Sequence, residues 1–127
     1  MRIHHVALMC RSEEAADRFY GDLLGLERIR SFMVSSELAR GLFGFGHSVQ
    51  TLTYVKDDMC FEVFVVDETH PPSPRLCHVA LAVEDQKGFL EQCKELQVRI
   101  VEVSTKEKSV TMIEDYDGNL FEIKEVR

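Results

Sequence analysis

The chain has few of the features that would place it in a membrane, on nucleic acid or outside the cell. No apolar run among its 127 residues approaches the roughly 20 needed to cross a bilayer as a helix. Basic residues are the minority: 15 Lys and Arg against 22 Asp and Glu give a formal charge of −7, which argues against tracking a phosphate backbone. The four cysteines (Cys10, Cys60, Cys77 and Cys93) show no C-x-x-C spacing and lie in apolar runs. That is the pattern of free thiols packed as small hydrophobes in a reducing compartment, so a cytoplasmic location is expected. A secretory leader is not expected at the start, where the apolar stretch is short and residues 11–17 are charge-rich. Proline is scarce, and Pro71, Pro72 and Pro74 all fall within residues 67–75, where nothing periodic occurs.

What the chain does have is a repeat. His5-Val6-Ala7-Leu8 recurs as His78-Val79-Ala80-Leu81, each an apolar run headed by one imidazole. With 45% hydrophobic and 29% charged residues the composition is that of an ordinary globular chain, large enough for a real core. Residues 3–10 read as a buried strand, with His5, Ala7 and Met9 on one face. Ser12 is a plausible N-cap, and Ala16, Phe19, Tyr20, Leu23 and Leu24 follow helical spacing up to Gly25. Strands are expected at 26–34, 49–55 and 59–66, the last two as a hairpin around Lys56-Asp57-Asp58, with a short capped helix possible near residues 36–40. After the proline stretch the plan repeats. A strand is expected at 76–83, a helix capped by Asp85 with Phe89, Leu90, Cys93 and Leu96 on one stripe, and strands at 98–103, 109–113 and 120–126. The chain is thus read as one domain, 1–127, made of module 1 (1–66), a connector (67–75) and module 2 (76–127).

Each half carries one His early and one Glu late: His5 with Glu62, and His78 with Glu122. Both carboxylates sit in apolar sequence, where a charge is costly unless paired or bound to metal. Two imidazoles and two carboxylates suit a divalent ion such as Zn, Ni, Co, Mn or Fe, and the two negative charges cancel its own. Four protein ligands leave coordination positions open for water or substrate, as a catalytic site requires. The bland alternative for each residue is a half-exposed place on a solvent-facing strand. Alternation turns His4 away from His5, which favours a surface or helix-packing role. His47, among glycines, is read as exposed and Cys60 as a core thiol, while Asp115-Tyr116-Asp117-Gly118-Asn119 is read as a turn rather than a calcium loop.

The opening Ile-His-His-Val-Ala-Leu, Phe19-Tyr20 with Leu24-Gly25-Leu26, the segment Cys77-His78-Val79-Ala80-Leu81-Ala82-Val83, and the closing Asp115-Tyr116-Asp117-Gly118-Asn119-Leu120-Phe121-Glu122 together resemble the vicinal oxygen chelate superfamily, the group of glyoxalase I. The resemblance implies an α+β fold of two βαβββ modules forming a curved mixed sheet around a metal-binding cleft. It matches His5, Glu62, His78 and Glu122 to the glyoxalase I-like ligand order. It further implies a homodimer and a metal-dependent enzyme that isomerises or lyses a small substrate with two adjacent oxygens through an enediolate. Glu122 would be the base, with Glu62 its symmetric alternative. A CoA-thioester epimerase of the methylmalonyl-CoA epimerase type, or a non-catalytic binding or resistance protein, are the other readings. The sequence departs from bacterial glyoxalase I at Met9, where those proteins carry a glutathione-holding Arg. It departs from fosfomycin-modifying members at Glu62, where those proteins use His.

Overall fold

The computed structural model describes residues 2–67 and 77–126. The expected proline connector, with Pro71, Pro72 and Pro74, and the expected strand start at Leu76 lie outside the described residues. The chain divides into two units, Met1–His70 and Pro71–Arg127.

The first unit runs β1 (Val6–Cys10), α1 (Glu13–Ala16), a π-helical segment (Asp17–Leu23), β2 (Glu27–Val34), α2 (Ser36–Phe43), β3 (Val49–Lys56) and β4 (Met59–Val65). Its four strands form one mixed sheet in the order β1-β4-β3-β2, with β1 parallel to β4 and the other pairs antiparallel. The second unit runs β5 (His78–Val83), α3 (Gln86–Glu95), β6 (Arg99–Ser104), β7 (Ser109–Glu114) and β8 (Leu120–Glu125), in the sheet order β5-β8-β7-β6. Each unit is therefore βαβββ, and the first carries an additional helix between its second and third strands. Among the described residues no helix is long and apolar enough to cross a membrane.

One face of each sheet is buried under its helix. Tyr54, Phe61, Leu52 and Val63 alternate onto the buried face of the first sheet, beneath Phe19, Tyr20 and Leu23. The Tyr20 ring lies 5.6 Å from both Tyr54 and Phe61. The stripe expected on a regular helix is delivered instead by a π-helical segment. Leu24 N–H reaches back to Phe19 O at 3.0 Å, and the wider turn swings Leu26 into the core beside Leu23 while leaving Leu24 half-buried. Gly25 then reverses the chain at φ 71°, a conformation that side chains with a Cβ resist. In the second unit Phe121, Ile113 and Ile123 pack beneath Cys93, with Phe89 and Leu96 half-buried at the margins. The helix caps are those expected: Ser12 Oγ accepts from Ala15 N–H, and Asp85 Oδ1 accepts from Gly88 N–H.

Tyr54 ties the two layers of the first unit together, its hydroxyl donating to Asp17 Oδ1 at 2.7 Å. Burial, reinforced by that acidic partner, pushes the Tyr54 hydroxyl well above the ordinary phenol range. A raised pKa in the fold contributes stability below the unfolded value and loses it as pH climbs past that value. Tyr54→Phe is expected to cost about 1 kcal/mol at neutral pH. It is also expected to flatten the decline of stability above about pH 10, where an unfolded tyrosine ionises. Urea unfolding of both proteins at pH 7 and in the alkaline range measures the two effects; the Cys93 thiol, which burial pushes up to about 11, contributes to the alkaline decline in both proteins.

Candidate functional site

The residues singled out by the repeat are placed by one pairing, formed twice. In the first unit β1 runs parallel to β4 with Ala7 opposite Glu62; in the second β5 runs parallel to β8 with Ala80 opposite Glu122. His78 begins β5 two residues before that alanine, so alternation puts it on the face of Glu122; His5 precedes β1 and is placed by its contact with Glu62 rather than by strand alternation. His5 Nε2 stands 3.2 Å from Glu62 Oε2, and His78 Nε2 stands 3.5 Å from Glu122 Oε2. Both carboxylates are about four-fifths covered, at 23% and 20% exposure, while the two histidines remain more open at 36% and 41%.

The Glu62 face also carries Ala7, Met9, Cys60 and Phe64, and the Glu122 face carries Ala80 and Ala82. At one end of the first face Met9, Phe32, Phe45 and Phe64 pack on a cluster of Val34, Ala39, Val49 and Val66 that includes the α2 helix. Phe43 adds a ring 5.3 Å from Phe64. The β6–β7 connection that corresponds to α2 is a short turn closed by Thr105 N–H to Lys108 O, so the Glu122 face has no such helix.

Three expectations change. His4 does not turn away from His5: β1 begins at Val6, so strand alternation does not govern the two preceding residues, and the two Nδ1 atoms lie 3.0 Å apart. Cys77 is exposed rather than packed, and Cys60 is half-buried, while Cys10 and Cys93 are core thiols. Burial, with the Glu62 charge beside it, raises the Cys60 thiol above its ordinary range. His47 is exposed, with Nδ1 2.9 Å from Ser48 O. The Asp115–Asn119 stretch is a turn, with the Asp115 carboxylate accepting from Asp117 N–H, Asn119 N–H and Asn119 Nδ2.

Sequence reasoning missed two features. Thr53 sits opposite Glu62 and Thr51 opposite Phe64, and their buried hydroxyls have no hydrogen-bond partner among the described residues. Lys124 lies two residues after Glu122 on the same face, Nζ 3.3 Å from Glu122 Oε1. The i, i+2 spacing along a strand was the available signal for both.

A family model described as the Glyoxalase/Bleomycin resistance protein/Dioxygenase superfamily matches residues 2–123. The chain belongs to this superfamily. No curated protein matches the superfamily member in sequence. Among solved structures it is similar to a glyoxalase family protein from Enterococcus faecalis, at 22% identity and TM-score 0.69, covering 96% of this chain and 95% of that one. A glyoxalase family protein from Bacillus cereus shares 18% identity at TM-score 0.74, over 98% and 93% of the two chains. A variant of the fosfomycin resistance protein FosX from Listeria monocytogenes, in complex with Mn(II) and 1S,2S-dihydroxypropylphosphonic acid, shares 16% identity at TM-score 0.71, over 97% and 90%. At these identities the structures establish a shared fold.

Superfamily membership makes a divalent ion the group to test against these residues. Ligands bound at about 2.1 Å and 90–110° to one another lie about 3.0–3.4 Å apart. The His5–Glu62 separation falls in that range and the His78–Glu122 separation lies just above it. The donors therefore fit, as two chelating pairs. Among the described residues no three His, Cys, Asp or Glu side chains gather into one metal-binding group, so each unit offers two donors.

The Asp115 turn fixes where Glu122 falls on β8. Asp115→Ala deletes three acceptor bonds from a residue only 5% exposed and is expected to cost about 3 kcal/mol, read as a lowered urea midpoint. Asp115→Asn, which keeps one acceptor oxygen, is expected to recover part of that loss.

Proposed function

We propose that the protein is a metal-dependent enzyme of the glyoxalase I-like type, isomerising or lysing a small molecule with two adjacent oxygens. The observation that carries this reading is the duplicated pair: His5 with Glu62, and His78 with Glu122, in one register in both units. The four side chains are proposed as the ligands of one divalent ion, whose charge the two carboxylates balance. The Listeria FosX complex, which holds Mn(II) together with a molecule bearing two neighbouring hydroxyls, supports an ion of this kind in this fold. We further propose a homodimer as the functional assembly. A sedimentation experiment that finds only monomer with full metal occupancy ends that part of the proposal.

A bound ion would supply the Lewis acidity that lowers the barrier to removing a proton beside a carbonyl. The chain's own contribution is to bind, orient and move the proton. Glu122 is assigned the base, because a half-buried carboxylate at the ligand position can reach the substrate carbon without another residue. Glu62, equivalent in register, takes the same role if the substrate presents its opposite face. The apolar packing of Met9, Phe45 and Phe64 near Glu62 limits water at that end of the strand. His4 is a positioning residue: with its ring nitrogen against His5 Nδ1, it leaves Nε2 as the atom directed to Glu62.

Screening α-ketoaldehyde hemithioacetals and CoA thioesters in deuterated buffer with Ni, Co, Zn or Mn tests the assignment. Glu122→Gln is expected to retain much of the metal and lose α-proton exchange by about a hundredfold or more. Exchange at the wild-type rate would remove Glu122 as base. No exchange of any substrate by the wild type would favour a ligand-sequestering protein. Metal content is expected to fall in both His5→Ala and Glu122→Ala, and elemental analysis showing full occupancy in both would end the metal reading. His4→Ala is expected to weaken metal binding about tenfold in a chelator competition, without loss of fold.

A further inference from the structure

The two half-sites share a backbone plan and differ in one charge. The next row along from each glutamate pairs Met9 with Phe64 in the first unit and Ala82 with Lys124 in the second. Phe64 is covered by the α2 cluster, whereas the Lys124 side chain is 63% exposed and holds its ammonium beside Glu122 Oε1. The same place in the fold accepts a phenyl ring, so the sheet does not require a cation there. An exposed lysine–carboxylate pair adds little stability, and a positive charge next to a divalent ion opposes metal binding through like-charge repulsion.

We infer that Lys124 anchors a negatively charged group of the substrate. This rests on the metal reading above. The argument is one of charge. Glu122 is the counter-ion of Lys124 in the free protein, but a Glu122 committed to an ion no longer neutralises it. The other carboxylate on that face, Glu114, is already paired with Arg99 at 3.1 Å. The remaining β5 and β6 residues on the face, His78, Ala80, Ala82, Val101 and Val103, include no carboxylate. The loaded half-site therefore presents an ammonium without a partner beside an ion whose own charge is balanced. A ligand that chelates through two adjacent oxygens and carries one carboxylate further along satisfies both. Its carboxylate also displaces Glu122 from Lys124 and frees Oε1. The flexible four-carbon stem of lysine suits a point-charge contact of adjustable reach.

The test compares two chelators with one head group, acetohydroxamate and succinomonohydroxamate, titrated by calorimetry into the Zn-loaded protein. The second adds only a carboxylate. Wild type is expected to bind succinomonohydroxamate about tenfold more tightly. Lys124→Met should abolish the preference while leaving acetohydroxamate affinity within about twofold, and Lys124→Arg should keep it. A wild type with no preference, or a Lys124→Met protein that retains one, overturns the inference while leaving the metal reading intact. A protein that takes up another of these ions in place of zinc is titrated in that form; one that takes up none of Zn, Ni, Co, Mn or Fe overturns the metal reading, and this inference with it.

Discussion

The site depends on a parallel strand pairing made twice. A strand carrying His at its head is laid beside the last strand of its own unit, with the alanine two residues on opposite a glutamate. Parallel neighbours need a long crossover between them, and here the helix and two further strands supply it. A slip of one residue in either pairing would move Glu62 or Glu122 to the face occupied by Phe61 or Phe121 and strand a carboxylate in the core. The aromatic contacts of Tyr20 with Tyr54 and Phe61 hold the first register from beneath. The Asp115 turn sets the second from its end.

From this common plan the two units diverge by what surrounds the glutamate. In the first, α2 brings Phe43 and Phe45 toward Phe64, and Thr53 places a buried hydroxyl opposite Glu62. In the second, Met112 occupies the place of Thr53, and Lys124 the place of Phe64. A duplicated scaffold has thus kept its donor atoms and varied the neighbours one row away. A shared fold leaves chemistry to such local differences, which is why the solved relatives, at 22% identity or less, inform the architecture more than the substrate.

The sequence by itself determined the repeat, the order of elements and the pairing of His with Glu. Period-two alternation in 59–66 and 120–126 and the recurrent His-Val-Ala-Leu are local signals, readable without long-range contacts. It also placed the caps at Ser12 and Asp85 and the left-handed glycine at Gly25, since each depends only on its immediate neighbours. Tertiary structure decided what depends on contacts distant in the chain. The π-helical segment, in which Leu24 N–H bonds Phe19 O, is a hydrogen-bonding pattern that apolar spacing alone does not report. His4 meets His5 because β1 starts at Val6, three residues later than the expected strand at 3–10, and hydrogen bonding rather than hydropathy sets a strand's first residue. The i, i+2 spacing in the expected strand 120–126 already put Lys124 and Glu122 on one face, but the contact between their charged ends depends on side-chain conformation, which spacing does not fix.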